Sequence, residues 1–183
     1  GPSAGVIGAI YVARSAGFDN IITYDMGGTS TDVSMVCNGI AEYTTKRKVC
    51  GLPSGIPMID VNAVGAGGGS IAYIDNAGAL KVGPESAGAN PGPAAYGLGN
   101  DKPVVTDANL VLGRINPQYV LGGRLKIEAE LSKTAVVKKI AEPMGIDLLQ
   151  AAQGIIRVAN SNMARAIRVI TVEKGYNPSD FTM

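Results

Sequence analysis

The chain has 183 residues, enough for one domain with a sizeable core. Hydrophobic residues make up 46% and charged residues 17%, which excludes a disordered chain. Lys plus Arg number 16 against 15 for Asp plus Glu, and the formal charge of +1 excludes a basic nucleic-acid-binding field and an acidic tail.

The opening GPSAG reads as a turn, followed by an Ala-rich helix from Ala4 to Ser15 that Gly17 stops. Asn20–Tyr24 is a short strand. Val33–Val36 continues extended, Asn38-Gly39 is a hairpin turn, and Ile40–Thr44 returns. A Pro/Gly-rich connector, CGLPSGIPM, leads to Ile59–Asn62. After AVGAGGGS, Ile71–Ile74 is a strand turned at Asp75–Gly78 into Ala79–Val82. From Gly83 to Lys102 runs a long loop dense in Gly and Pro, of the kind that is either functional or disordered. Val104 and Val105 form a short strand, and Thr106 or Asp107 caps a helix to Gly113. A further helix spans Glu130–Met144, with Lys138 and Lys139 exposed. The last helix is capped by Asp147 and ended by Gly175, and its stripe of Leu148, Ala152, Ile155, Ile156, Ala159, Met163, Ala166, Ile167 and Ile170 is core. Strands precede helices with neither repeat nor linker, so one mixed α/β domain is expected.

Absences narrow the chemistry. With no His, neither His-ligated metal nor Ser-His-Asp or Cys-His catalysis is available within this chain. Cys37 and Cys50 are too few and too far apart for CxxC chemistry or a disulfide scaffold. No apolar run approaches the roughly 20 residues of a membrane span, and no charged leader is present. A cytoplasmic protein without membrane or nucleic-acid partners is expected.

Three motifs carry candidate chemistry. Gly1-Pro2-Ser3-Ala4-Gly5 matches GxSxG, but no strand precedes it and no His can serve as base, so it is a helix-capping turn. Gly67-Gly68-Gly69-Ser70-Ile71-Ala72 fits a loose dinucleotide fingerprint, yet a strand follows where a helix is required. Its glycines still permit close approach of a ligand or of another backbone. The third is YDMGGTSTDVS, residues 24–34. Gly27-Gly28 at the bend of a strand–turn–strand can aim successive amides into one concavity, where glycine permits φ > 0 and lets a phosphate come close. Thr29, Ser30 and Thr31 add hydroxyl donors. Asp25 would face phosphate through a cation such as Mg²⁺, and could orient a water. A tight hairpin with Asp25 and Asp32 bonded to nearby backbone explains the same spacing. On spacing alone, both readings stay open.

DMGGTSTDVS resembles the phosphate hairpin of the actin, sugar-kinase and heat-shock ATPase superfamily. IDVNAVGAGGGSIAYID, GPESAGANPGPAAYG, VTDANLVLGRI and MARAIRVITVEKGYNPSDF together resemble the hydantoinase A family across nearly the whole chain. The resemblance implies an α/β, ribonuclease-H-like (actin-like ATPase) fold, a mixed sheet with flanking helices, and ATP as cofactor. It implies an ATP-dependent hydrolase that activates the carbonyl of a cyclic amide, as in N-methylhydantoinase and 5-oxoprolinase. The alternatives are an acetone or acetophenone carboxylase subunit, and a non-catalytic nucleotide sensor or assembly subunit.

Carried over by residue, Asp25 is the catalytic carboxylate and holds hydrated Mg²⁺. Gly27, Gly28, Thr29 and Ser30 contact the phosphates, Asp32 braces the hairpin, and Gly67, Gly68 and Gly69 line the cleft. Asn62 stands where many family members carry His or Glu, and Asn shuttles no proton near pH 7. The resemblance assigns no role to Asn90, Tyr96 or Asp107. The family's other hairpin, DxGGTFTD, and its GGxGP segment are not in this sequence. Residues 1–183 are therefore expected to be one domain of a larger subunit, inactive alone, with a small-molecule substrate and a hydantoinase B-type subunit as partners.

Overall fold

The computed structural model describes residues 1–49 and 51–183. Cys50, within the expected connector, lies outside the described residues. Helices and mixed sheets alternate, an α/β arrangement, and the contacts divide the chain into two compact units.

The first unit comprises Gly1–Asp25, Thr31–Ala63 and Ala164–Met183. Helix α1 (Pro2–Ser15) begins earlier than its composition suggests, because Pro2 is preset for the first helical position and GPSAG becomes the first turn. Val6, Ala9, Ile10 and Ala13 recur at helical spacing and pack on Ile21, Val36, Ala41 and Val61. Strand β1 (Ile21–Met26) pairs with β2 (Thr31–Cys37), which also pairs with β3 (Ile40–Ala41). The β2–β3 turn has Asn38 at φ 51° and Gly39 at φ 73°, the doubly left-handed turn that matches strand twist. Any side chain at Gly39 would also strike the Arg14 guanidinium, whose Nη2 donates to the Gly39 carbonyl at 2.9 Å.

The expected return strand Ile40–Thr44 splits at Glu42. The Glu42 amide still bonds Met35 at 3.2 Å, but β4 (Tyr43–Thr44) leaves to pair with β7 (Met58–Ile59). The expected connector also carries structure: β6 (Leu52–Ser54) within it pairs antiparallel with β5 (Arg47–Val49) just before it. Pro53 is tolerated there because this two-stranded ribbon is all edge. Strand β8 (Val61–Val64) returns to pair with β2. Thr182 adds a parallel bridge beside β1, its carbonyl accepting from Ile22 N at 2.8 Å.

One ion cluster ties this unit's distant segments. Lys174 Nζ lies 2.6 Å from Asp60 Oδ2 and 3.1 Å from Glu42 Oε2, and Tyr176 donates to Glu42 at 3.1 Å. Burial pulls the Lys174 ammonium down, but its bonds to Asp60 and Glu42 outweigh burial and leave it above its ordinary 10.5. Burial pushes the Cys37 thiol up from 9.0, and the Glu42 charge adds to this. The hydrogen bond to Glu42 holds the Tyr176 phenol above 10.0. All three groups bind their protons more tightly folded than unfolded. Their contribution is complete below the unfolded values and is lost as pH rises through the raised ones. Unfolding free energy in urea is therefore expected to stay level up to about pH 9 and fall above it, and a fall beginning below about pH 8 would contradict this origin.

The second unit comprises Met26–Ser30 and Val64–Met163. Strands β9 (Ser70–Ile74) and β10 (Leu80–Ser86) form an antiparallel hairpin in the register Leu80↔Ile74 and Val82↔Ala72. Asp75 fixes its turn by accepting from the amides of Ala77 (3.0 Å) and Ala79 (2.9 Å). Strand β10 runs on to Ser86, so the expected long loop starts later. Helix α2 (Val105–Val111) follows, and Val104 forms only an isolated bridge to Ile71.

The expected helix Glu130–Met144 is α3 (Ala129–Val136), a π turn (Val137–Ala141) and the last turn α4 (Glu142–Met144). Pro143 has no amide to offer Lys139, and the widened turn just before it absorbs the missing bond. Helix α5 (Leu148–Ile170) starts with a reciprocal cap: Gln150 N donates to Asp147 Oδ1 at 2.8 Å, and Asp147 N to Gln150 Oε1 at 3.3 Å. It ends at Ile170, short of Gly175, because Thr171 leaves helical geometry and a 3₁₀ turn, Val172–Lys174, intervenes. Ala151, Ala152, Ile155, Ile156, Ala159 and Met163 pack with Val136, Ile140, Val105, Ala72 and Val82 into this unit's core. No helix among the described residues is long and apolar enough to cross a membrane.

Candidate functional site

The β1–β2 hairpin is closed by Gly27 N donating to Ser30 O at 2.9 Å. Asp25, Met26, Gly27, Gly28 and Thr29 are exposed, while Thr31 is fully buried. At the tip, the amides of Gly28, Thr29 and Ser30 find no acceptor among the described residues. Neither Gly27 nor Gly28 has a left-handed φ, so the conformational reason for glycine does not apply here. A Cβ at Gly28 would meet nothing within 4 Å, and one at Gly27 only Ser30 O at 3.6 Å. The folded chain therefore sets no demand for glycine at these two positions. The remaining physical reason is room for something that approaches from outside.

The glycine run lies against this hairpin on its carbonyl side. Gly68 N donates to Gly27 O at 3.0 Å, and Gly69 N to Gly28 O at 2.6 Å. A trans peptide points its C=O and N–H in opposite directions. Pinning the Gly27 and Gly28 carbonyls thus aims the Gly28 and Thr29 amides away from the run, toward the exposed side. The run is itself fixed: Ser70 Oγ accepts from Gly67 N at 2.8 Å, and Gly68 O accepts from Thr106 N and Oγ1 at 2.8 and 2.9 Å. Two successive amides without an acceptor among the described residues, with an exposed Thr29, can receive an anion. The amides of Gly68 and Gly69 are already engaged, so they act as the floor beneath the hairpin and are not free donors.

That packing dictates glycine. A Cβ at Gly67 would stand 2.7 Å from Gly28 C and O and 2.8 Å from Gly27 O. At Gly69 it would stand 2.9 Å from Gly28 O and 2.8 Å from Ser86 Oγ. The expectation that Asp32 braces the hairpin meets no matching bond; the glycine run makes the brace.

The Asp25 carboxylate has no hydrogen-bond or ionic partner among the described residues, and that of the half-buried Asp32 is likewise without one. Both carboxylates line one cavity of the first unit, about 470 Å³, walled by Gly5, Val6, Ala9 and Ile22. No group of three or more Cys, Asp or Glu that could cage a metal occurs among the described residues. One or two carboxylates lining a cavity fit the donor set of Mg²⁺, which is bound by few carboxylates and keeps several waters. Asn62 takes no such part: its Nδ2 donates to the Ala166 carbonyl at 3.2 Å, anchoring β8 to helix α5.

One buried carboxylate reads in the sequence only as a candidate helix cap. Asp107 is fully buried and accepts four hydrogen bonds: from the amides of Ala94, Ala95 and Val104 at 3.0 Å each, and from Ser132 Oγ at 2.6 Å. Neither Thr106 nor Asp107 is the N-cap of α2. Val104 holds that position, and Asp107 reaches back to its amide from the first turn. Asp107 thereby orders the Gly/Pro loop, helped by Asn100, whose Nδ2 donates to Gly92 O at 2.7 Å. Tyr96 is half-buried against Gly92, and Asn90 is exposed. Asp107→Ala is expected to destabilise the chain by about 3–5 kcal/mol in urea unfolding, since each buried donor left unpaired costs about 1–3 kcal/mol. Ser132→Ala removes a single donor and is expected to cost about 1 kcal/mol.

Fold and local geometry together define an α/β protein with a β-hairpin braced on its carbonyl side by a glycine run. The chain belongs to the hydantoinase/oxoprolinase family, whose model matches residues 1–183. It is 45% identical over 183 residues to caprolactamase subunit alpha of Pseudomonas jessenii, covering 100% of this chain and 26% of that one. The crystal structure of ATP-dependent caprolactamase from Pseudomonas jessenii superimposes with a TM-score of 0.87 at 46% identity, over 98% of this chain and 26% of that one. A nucleotide-free acetone carboxylase, described as catalysing ATP-dependent acetone carboxylation, superimposes with a TM-score of 0.89 at 35% identity over the same shares. The chain thus spans about a quarter of the length of these relatives.

Proposed function

We propose that the protein containing this chain is an ATP-dependent amidohydrolase that opens a cyclic amide, with the hairpin as one half of its ATP-phosphate site. The observation that carries this is the pair of unpaired Gly28 and Thr29 amides, held outward by the glycine floor. Similarity to an ATP-dependent caprolactamase supports the same reading. The finer fold we assign is ribonuclease-H-like, on the grounds of the β1-β2-β3 order and the position of the hairpin.

In this reading, Gly28, Thr29 and Ser30 hold phosphate oxygens and Gly27 shapes the bend. Asp25 would hold a hydrated Mg²⁺ ion, which would supply neutralisation of phosphate charge when bound. The amide oxygen attacks the γ-phosphorus and ADP leaves. Water then adds to the activated carbon and the C–N bond breaks, freeing an amine and leaving an acyl phosphate, which a second water hydrolyses to a carboxylate and phosphate. Each step needs the phosphate fixed and water limited, which the hairpin amides serve.

The intact protein, supplied with ATP, is expected to release ADP in proportion to ring-opened product from hydantoin, 5-oxoproline or caprolactam. Turnover only with acetone and bicarbonate would favour a carboxylase, a reading supported by the acetone carboxylase similarity. Residues 1–183 alone are expected to show no steady ATPase above their Asp25→Ala variant, because they supply only one phosphate hairpin. A cytoplasmic subunit paired with a hydantoinase B-type partner completes the proposal.

A further inference from the structure

Helix α1 carries a glycine whose absent side chain the helix does not require. Gly5 lies inside α1 (Pro2–Ser15) without a left-handed φ, where glycine costs about 1 kcal/mol relative to alanine. No neighbouring element presses on it. A Cβ at Gly5 would meet one atom within 4 Å, and that atom is Asp25 Oδ2, at 3.9 Å. Gly8, one turn on, would meet nothing. Gly5, Asp25 and Asp32 line the same cavity of the first unit, and Asp25 has no partner among the described residues.

From this we infer that Gly5 is a positioning residue for the chemistry at Asp25. By lacking a side chain, it keeps open the space beside the carboxylate that a hydrated divalent cation must occupy. The inference rests on the reading of Asp25 given above and names a residue that reading does not use. The distances decide the case. A cation bound directly by a carboxylate sits about 2.1 Å from its oxygen, and its water ligands extend the shell about as far again. A shell reaching about 4 Å from Oδ2 overlaps the place of a side chain at position 5. A methyl group there touches Asp25 only at ordinary contact distance, so it does not disturb the fold. It displaces water and cation instead, and a longer side chain displaces more. Ala or Leu at position 5 would also strengthen the helix, so a loss of binding could not be attributed to unfolding.

The test uses the intact protein with Mn²⁺ as the cation and ATP as the nucleotide. Mn²⁺ binding is read by electron paramagnetic resonance, and ATP affinity by calorimetry with and without the metal. Gly5→Leu is expected to weaken Mn²⁺-dependent ATP binding about tenfold or more, while metal-free ATP affinity stays within about twofold. Gly5→Ala is expected to fall between Gly5→Leu and the parent, with a melting temperature no lower than the parent's. Gly8→Leu is expected to bind as the parent does. If Asp25→Ala weakens Mn²⁺-dependent binding and Gly5→Leu does not, the role of Gly5 is overturned and that of Asp25 stands. If Asp25→Ala changes nothing, both are overturned. Equal losses with and without metal in Gly5→Leu also overturn the role of Gly5, since a cation-specific space would spare metal-free binding.

Discussion

Asp25→Ala in the intact protein is expected to lower ATP-dependent turnover by about 10²–10⁴-fold, the range for losing a positioned acid–base or electrostatic group. The fold itself should be unaffected. Asp25 is exposed near the end of β1 and its carboxylate makes no hydrogen bond or ion pair with the described residues, so removing it orphans no partner. Unfolding free energy should stay within about 0.5 kcal/mol of the parent, as for surface substitutions free of structural contacts. Turnover measured beside urea unfolding separates the two effects. Unchanged turnover with unchanged stability would remove Asp25 from the mechanism.

The second large effect belongs to Gly67. A methyl group there meets Gly28 C, Gly28 O and Gly27 O at 2.7–2.8 Å, and all three are backbone atoms that no rotamer change can move. The hairpin must shift, and overpacking of this kind costs about 1–3 kcal/mol. A shift also breaks the Gly68–Gly27 and Gly69–Gly28 bonds that aim the tip amides. Gly67→Ala is therefore expected to lose stability and, by about tenfold or more, ATP affinity together. Gly28→Ala makes the informative contrast. Its Cβ enters open space, so stability should hold within about 0.5 kcal/mol while ATP binding falls, because the methyl occupies the phosphate's approach. If Gly28→Ala binds ATP as the parent does, the hairpin is a structural turn and no cradle.

These expectations separate what the local sequence could reveal from what it could not. The hairpin at Gly27-Gly28 and the turn at Asn38-Gly39 were legible because a tight turn is encoded in adjacent residues. The stripe of α5 was legible because its core residues recur every three or four positions. Even so, the return strand Ile40–Thr44 was read as continuous, since nothing within five residues says that Tyr43 and Thr44 will pair with Met58 and Ile59. The hairpin β5–β6 was missed for a related reason: three-residue strands containing Pro show no alternation to detect.

The site shows the same division more sharply. By itself, the sequence determined that glycines and hydroxyls cluster at 27–31, that a second glycine run lies at 65–69, and that residues 1–183 supply no histidine. Family resemblance then attached both runs to phosphate. Only the tertiary structure decided that they do different work, one presenting amides outward and the other spending its amides on the first one's carbonyls. It alone gave Asp107 its four donors, Lys174 its two carboxylates 132 and 114 residues away, and Gly5 its place beside Asp25. The physical reason is that a backbone amide looks the same in every glycine. What it donates to is settled by which carbonyl the fold brings within 3 Å, and no spacing along the chain encodes that partner.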